Sequence, residues 1–248
     1  MHDWIVPDWI VPDWAAPAAV RALCTTRSGG SSRGPWASMN LGRRCGDDPT
    51  AVRENRRRLN AVLPAAPQWL RQVHGSEVAV HPGTVQGELE ADALIARGPA
   101  RVCAVLTADC LPVVFCSRAG DEVAVAHAGW RGLAAGVLER TVHALNAAPA
   151  ELLAWLGPAI GPAAYEVGPD VVAAFAAEFP AGFRPHGERW LLDLYALARL
   201  RLARAGVTDV SGGDFCTFSD PARFYSCRRD AITGRMASLV WIDSGSAG

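Results

Sequence analysis

Residues 102–132 read VCAVLTADCLPVVFCSRAGDEVAVAHAGWRG, and this stretch decides the fold class. Three apolar runs, Val102 to Leu106, Leu111 to Cys116 and Val123 to Ala126, are short, rich in valine and separated by turn formers, as strands are. Gly129-Trp130-Arg131-Gly132 ends the third run and opens a helix to about residue 146. Along it Leu133, Val137, Leu138, Thr141 and Val142 keep helical spacing. Strand, tight turn and helix in succession predict an α/β (α+β) protein with a strand-dominated middle.

Outward from this centre, Val78-Ala79-Val80 adds a strand, and residues 235–242 close the chain with another. Helices are expected after Pro49 over residues 51–60, over 170–179, and over 193–205, the last with an acid at its start and Gly206 as its stop. Residues 27–50 are rich in turn formers and read as a loop that covers something. At the N-terminus the unit Asp3-Trp4-Ile5-Val6-Pro7 recurs as Asp8-Trp9-Ile10-Val11-Pro12. Proline at every fifth place prevents a helix there. Residues 1–20 are therefore an arm or a duplicated strand start, and residues 21–248 form one domain.

Composition narrows the function classes. The chain has 248 residues, half of them apolar, enough to bury a sizeable core. Its net charge is −1, with no basic block longer than Arg56-Arg57-Arg58, so nothing marks a nucleic-acid surface. All 24 basic residues are arginine. Lysine Schiff-base chemistry and a Walker-type lysine are excluded together, and an anionic substrate must meet guanidinium or backbone N–H. Seven cysteines without a CxxC pair make a poor disulfide framework, and no apolar run approaches a membrane span. A cytoplasmic protein without membrane partners is expected.

Three metal-competent side chains stand where strand gives way to loop: His74 in Gln72-Val73-His74-Gly75, Cys110 in Thr107-Ala108-Asp109-Cys110-Leu111-Pro112, and His127 in Val125-Ala126-His127-Ala128-Gly129. Two imidazoles and a thiolate make a tetrahedral site with one open position, the arrangement of a catalytic zinc. Spacings of 36 and 17 residues carry no local metal motif. On pattern alone a buried cysteine with two hydrogen-bonded histidines stands beside the ligand reading. Cys103 and Cys116 lie inside apolar runs and read as core, whereas His81, His143 and His186 read as exposed or capping. Gly129-Trp130-Arg131-Gly132 offers N–H groups, an indole and a guanidinium to a flat anionic ligand. The loop Gly157-Pro158-Ala159-Ile160-Gly161-Pro162 reads as a structural turn. Arg228 and Arg229 ahead of Asp230 read as an ion pair or a phosphate clamp.

Taken with Ala91-Asp92-Ala93, residues 157–168, Asp193-Leu194, Ser226 to Arg229 and Thr233-Gly234-Arg235-Met236, the order of these segments resembles the YfiH-like family. Its members were long labelled multicopper polyphenol oxidases or laccase-domain proteins and are now regarded as purine nucleoside phosphorylases. The resemblance implies that His74, Cys110 and His127 are the metal ligands. It also implies a mixed β-sandwich flanked by helices in four αββα layers, a fold shared with a bacterial toxin that carries a Cys-His dyad. The implied activities are phosphorolysis of adenosine, inosine, guanosine and methylthioadenosine, and hydrolytic deamination of adenosine. Zinc is the expected cofactor, with copper possible, in a monomer or homodimer whose partners are a purine nucleoside and phosphate. Asp109, beside Cys110, is the candidate proton shuttle, and Arg27, Asn40, Trp130, Arg131 and Arg228 are the candidate substrate-binding residues. A copper phenol oxidase, a metal-free hydrolase using Cys110 and His127, and a binding module are the alternatives. Six histidines are too few for the first.

Overall fold

The computed structural model describes residues 8–85, 87–178 and 180–244. In chain order its strands are β1 (Val20–Cys24), β2 (Leu70–Arg71), β3 (Val78–Val80), β4 (Leu89–Glu90), β5 (Ala93–Arg97), β6 (Cys103–Thr107), β7 (Leu111–Ser117), β8 (Glu122–Ala128), β9 (Leu152–Leu156), β10 (Glu166–Val167), β11 (Phe183–His186), β12 (Arg189–Leu192), β13 (Asp209–Gly212) and β14 (Met236–Ile242). The α-helices are α1 (Pro49–Asn60), α2 (Trp130–Ala134), α3 (Val137–Ala144), α4 (Pro169–Ala174), α5 (Leu194–Arg204) and α6 (Cys227–Asp230).

A mixed six-stranded sheet, in the order β13-β9-β7-β8-β5-β3, faces an antiparallel three-stranded sheet, β1-β14-β6. Side-chain alternation along each strand builds the layers. In β7, Val114 and Cys116 pack between the sheets, while Val113 and Phe115 pack on the helical side with Leu138 of α3 and Leu197 of α5. In β14, Val240 and Ile242 face the sandwich interior, and Leu239 and Trp241 turn outward to meet Leu59 of α1. The result is helix, sheet, sheet, helix. Both faces of the sheets are covered, so the central strands read as continuous apolar runs rather than as alternating ones.

The structure refines several sequence expectations. The helix expected from Gly129 to about residue 146 is two helices, broken at Gly136, which adopts φ +87°. That left-handed residue cannot propagate a right-handed helix. The helix expected over 170–179 is regular only to Ala174, and Phe179 lies outside the described residues. Two central strands, β5 and β9, go beyond the sequence reading because five-residue apolar runs carry no decisive period. Of the N-terminal repeat, the first copy lies outside the described residues. In the second, Ile10 pairs with Cys24 at the edge of β1, and Trp9 is buried against Leu23 and Trp69. No described helix is long and apolar enough to cross a membrane.

Candidate metal centre and its cleft

Cys110 is delivered by a change of layer. β6 belongs to the three-stranded sheet and β7 to the six-stranded one, so Ala108-Asp109-Cys110 carries the chain across the rim of the sandwich. Asp109 makes this turn at φ +88°, a conformation that costs a residue with a Cβ. Three bonds hold it there. Its Oδ1 accepts from the Thr217 hydroxyl at 2.6 Å, its Oδ2 from the Arg228 N–H at 2.7 Å, and its carbonyl from the Ile160 N–H at 2.9 Å.

His127 is the last residue but one of β8 and faces Pro112 of β7 across the ladder. It shares the inter-sheet face with Val123 and Val125, at the end where that space opens. His74 follows β2 in a turn at φ +59°.

The two imidazoles share one carboxylate. Asp92, completely buried, accepts N–H bonds from Val73 (3.1 Å), His74 (3.0 Å) and Gly75 (2.7 Å), and also from His127 Nδ1 (2.8 Å). Burial alone would raise its pKa. The bonds from His127 and from the Gly75 and Val73 backbone instead hold it below the ordinary carboxylate range. An ionised carboxylate only accepts, so the Nδ1 hydrogen of His127 is fixed and Nε2 is the nitrogen left to a metal, which would displace any proton there.

The donor set fits a single ion. The donor atoms of His74, Cys110 and His127 lie within 4.8 Å of one another, and Cys110 Sγ is 3.9 Å from His74 Nε2. Tetrahedral zinc with ordinary Zn–N and Zn–S bonds spaces such donors about 3.4–3.6 Å apart, so a small contraction closes the site. Gly129 makes room: a Cβ at that position would stand 2.8 Å from Cys110 Sγ and 3.2 Å from the His74 ring. Burial pushes the Cys110 thiol up, but the neighbouring His127 and His74 outweigh it and bring the thiol down to about 6. Burial pushes His127 down, and Cys110 with Asp92 outweighs it and brings the imidazole up to about 9. A thiolate is the ligand form of cysteine.

These three side chains line a cleft of about 580 Å³, the size of a small-molecule site. Trp130, Arg131, Arg228 and Asp109 line it as well. The Arg131 guanidinium lies 4.3 Å above the Trp130 ring, and Arg228 lies 5.0 Å above Tyr165 while donating to the Glu166 carbonyl at 2.6 Å. Arg27 and Asn40 stand outside the lining. Arg27 donates to the Ala37 and Pro221 carbonyls, and Asn40 is buried within the 40–47 loop, bonded to Gly42, Asp47 and the Arg235 N–H.

Several lining or supporting residues escape the sequence reading. Asp92 carries no signal of its role, since nothing local tells an anchoring aspartate from any other before a strand. Tyr165, Arg43, Arg44 and Arg235 reach the cleft from three separate loops. The absence of lysine is the one hint that arginines would gather wherever anions bind.

Comparison with known proteins places this geometry in context. The family model described as multi-copper polyphenol oxidoreductase laccase matches residues 21–243. A Pseudomonas aeruginosa protein named purine nucleoside phosphorylase is 57% identical over 98% of this chain and 99% of its own. The Escherichia coli purine nucleoside phosphorylase YfiH is 54% identical over 91% of this chain and 95% of its own. Among solved structures, a Neisseria meningitidis protein superposes with a TM-score of 0.91 at 48% identity, covering 96% of this chain and 100% of its own.

Proposed function

The chain belongs to the multi-copper polyphenol oxidoreductase laccase family, and from that premise we propose that it is a metal-dependent purine nucleoside enzyme. The reactions are phosphorolysis of adenosine, inosine, guanosine and methylthioadenosine, and hydrolytic deamination of adenosine, in the cytoplasm. The observation that carries this reading is the three-donor centre, oriented by Asp92, in the wall of a cleft that also presents aromatic faces and guanidinium groups. The names of the close relatives support the nucleoside as substrate.

Phosphorolysis forms a bond from phosphate to C1′ and breaks the bond from C1′ to the purine nitrogen; deamination adds water at C6 and expels ammonia. Zinc, a metal suited to two imidazoles and a thiolate, would supply Lewis acidity at the purine base. Trp130 and Tyr165 offer ring faces on which the base stacks. Arg131 and Arg228 bring positive charge to the same wall, and Arg228 is fixed by its bond to Glu166. Asp109 is the candidate proton carrier, with its carboxylate aimed by Thr217 and the Arg228 N–H.

A multicopper oxidase needs a further histidine-rich cluster. Among the described residues, His74, Cys110 and His127 form the one group able to hold a metal. The test is to incubate zinc-loaded protein with adenosine and phosphate and to separate the products. Adenine with ribose 1-phosphate, or inosine, is expected, and recovery of adenosine alone overturns the reading. Full activity in chelator-treated, metal-free protein would transfer the chemistry to a Cys110–His127 dyad.

A further inference from the structure

Beyond the metal centre, the cleft wall contains a second group of residues drawn from other segments. Gly42, Arg43 and Arg44 come from the loop ahead of α1, Arg235 from the start of β14, Thr107 from the end of β6, and Glu88 from the turn before β4. They are built against one another. Met236 pairs with Thr107 across the ladder, which sets Arg235 beside the β6 rim. Gly42 lies so close to the Arg235 stem that a Cβ there would stand 2.8 Å from its Cγ. Asn40 Oδ1 accepts from both the Gly42 and the Arg235 N–H, locking the loop to the strand.

Positive charge is in excess here. Glu88 is paired with Arg44 at 2.5 Å. The cleft's other carboxylate, Asp109, has both oxygens engaged. Behind the loop, Arg56 bonds the Leu41 carbonyl, and its pKa falls to about 10, through burial first and then through the charges of Arg43 and Arg44. Thr107 is 2% exposed, and among the described residues its hydroxyl has no hydrogen-bond partner although the residue lines the cleft. A buried hydroxyl left unpaired is costly, and a ligand atom in the cleft would complete it.

We propose that Arg43, Arg44, Arg235 and the Thr107 hydroxyl form a subsite for a phosphate dianion, separate from the residues that face the base. The inference rests on the nucleoside reading and deepens it. In a purine nucleoside C6 and C1′ lie at opposite ends, so a base presented to the metal by C6 directs its ribose away from it. Phosphate held by this second group then meets C1′: Arg235 spends Nη1 on the Thr233 and Gly234 carbonyls and keeps Nε and Nη2 for the anion, while Arg131 and Arg228, stacked on Trp130 and Tyr165, stay with the base. The same chemistry would hold inorganic phosphate or the 5′-phosphoryl group of a nucleotide.

Equilibrium dialysis with radiolabelled inorganic phosphate, with and without adenine, tests the subsite directly. Arg43→Ala and Arg235→Met, the latter keeping the stem packed on Gly42, are expected to weaken phosphate binding at least tenfold. Thr107→Val removes only the hydroxyl and is expected to weaken binding severalfold with no fall in Tm. Binding unchanged in the Arg43→Ala/Arg235→Met double variant, binding lost only in Arg131→Ala, or no phosphate binding by the parent protein overturns the proposal. Displacement of phosphate from the parent protein by adenosine 5′-monophosphate but not by adenosine identifies a nucleotide phosphoryl group as the occupant. Failure of the nucleotide to displace it identifies free phosphate. Phosphate bound through these residues without nucleoside turnover would sink the phosphorolysis reading and leave the subsite standing.

Discussion

Asp92 couples the loop that bears His74 to the strand that bears His127, through four hydrogen bonds on one buried carboxylate. Asp92→Asn would present an amide in place of one oxygen, setting an NH₂ group against a backbone or imidazole N–H. Metal affinity, measured by chelator competition, is expected to fall about 10–100-fold, the usual cost of losing a carboxylate behind a histidine ligand. An unchanged affinity would show that the two histidines are held by other means. Gly129 acts by lacking a side chain. Gly129→Ala drives a methyl group to within 2.8 Å of Cys110 Sγ, so metal content and activity are expected to drop together while the far-UV circular dichroism is retained. A variant that still binds one zinc with parental affinity would contradict this account.

Among the elements, the helices that frame the sandwich begin on local signals. Asp48 accepts from the Thr50 N–H at 2.8 Å at the start of α1, and Asp193 from the Ala196 N–H at 2.9 Å at the start of α5. Replacing either by alanine is expected to lower stability in urea by about 1 kcal/mol without altering metal binding, because neither cap touches the cleft. A change in metal stoichiometry instead would tie the cap to the site. Here local sequence is a good guide. The expected boundary at Gly206 and the acid at Asp193 both mark the ends of α5. The same reasoning carried α2 and α3 through as one helix, because their apolar positions stay in phase, and only the left-handed Gly136 separates them.

Across the whole molecule, the layers sort the seven cysteines. Cys24, Cys103 and Cys116 are buried in the interior between the sheets, and burial pushes Cys24 and Cys116 up to about 12 and Cys103 up likewise. Iodoacetamide at pH 8 is therefore expected to modify only Cys45, Cys110, Cys216 and Cys227 in the folded protein, with zinc removing Cys110 from that set. Peptide mass mapping reads the result, and rapid modification of the three interior thiols would refute the packing. Phe115, fully buried between β7 and the helices, tests the other core: Phe115→Ala is expected to cost about 3–5 kcal/mol in chemical denaturation.

By itself the sequence determined what is local: valine-rich runs that read as strands, the acid and the glycine that bound α5, and a charge inventory in which arginine alone meets anions. It also marked His74, Cys110 and His127 as donors at loop edges, without deciding between ligands and core, because 36 and 17 residues of chain separate them and periodicity says nothing across such distances. Tertiary structure brought the three together by changing sheets between β6 and β7, which sets Cys110 against the end of β8, and by folding Asp92 under both histidines. It alone brought Arg43, Arg44 and Arg235 to one wall beside Thr107, since contacts between residues so far apart exist only once the sheets have packed.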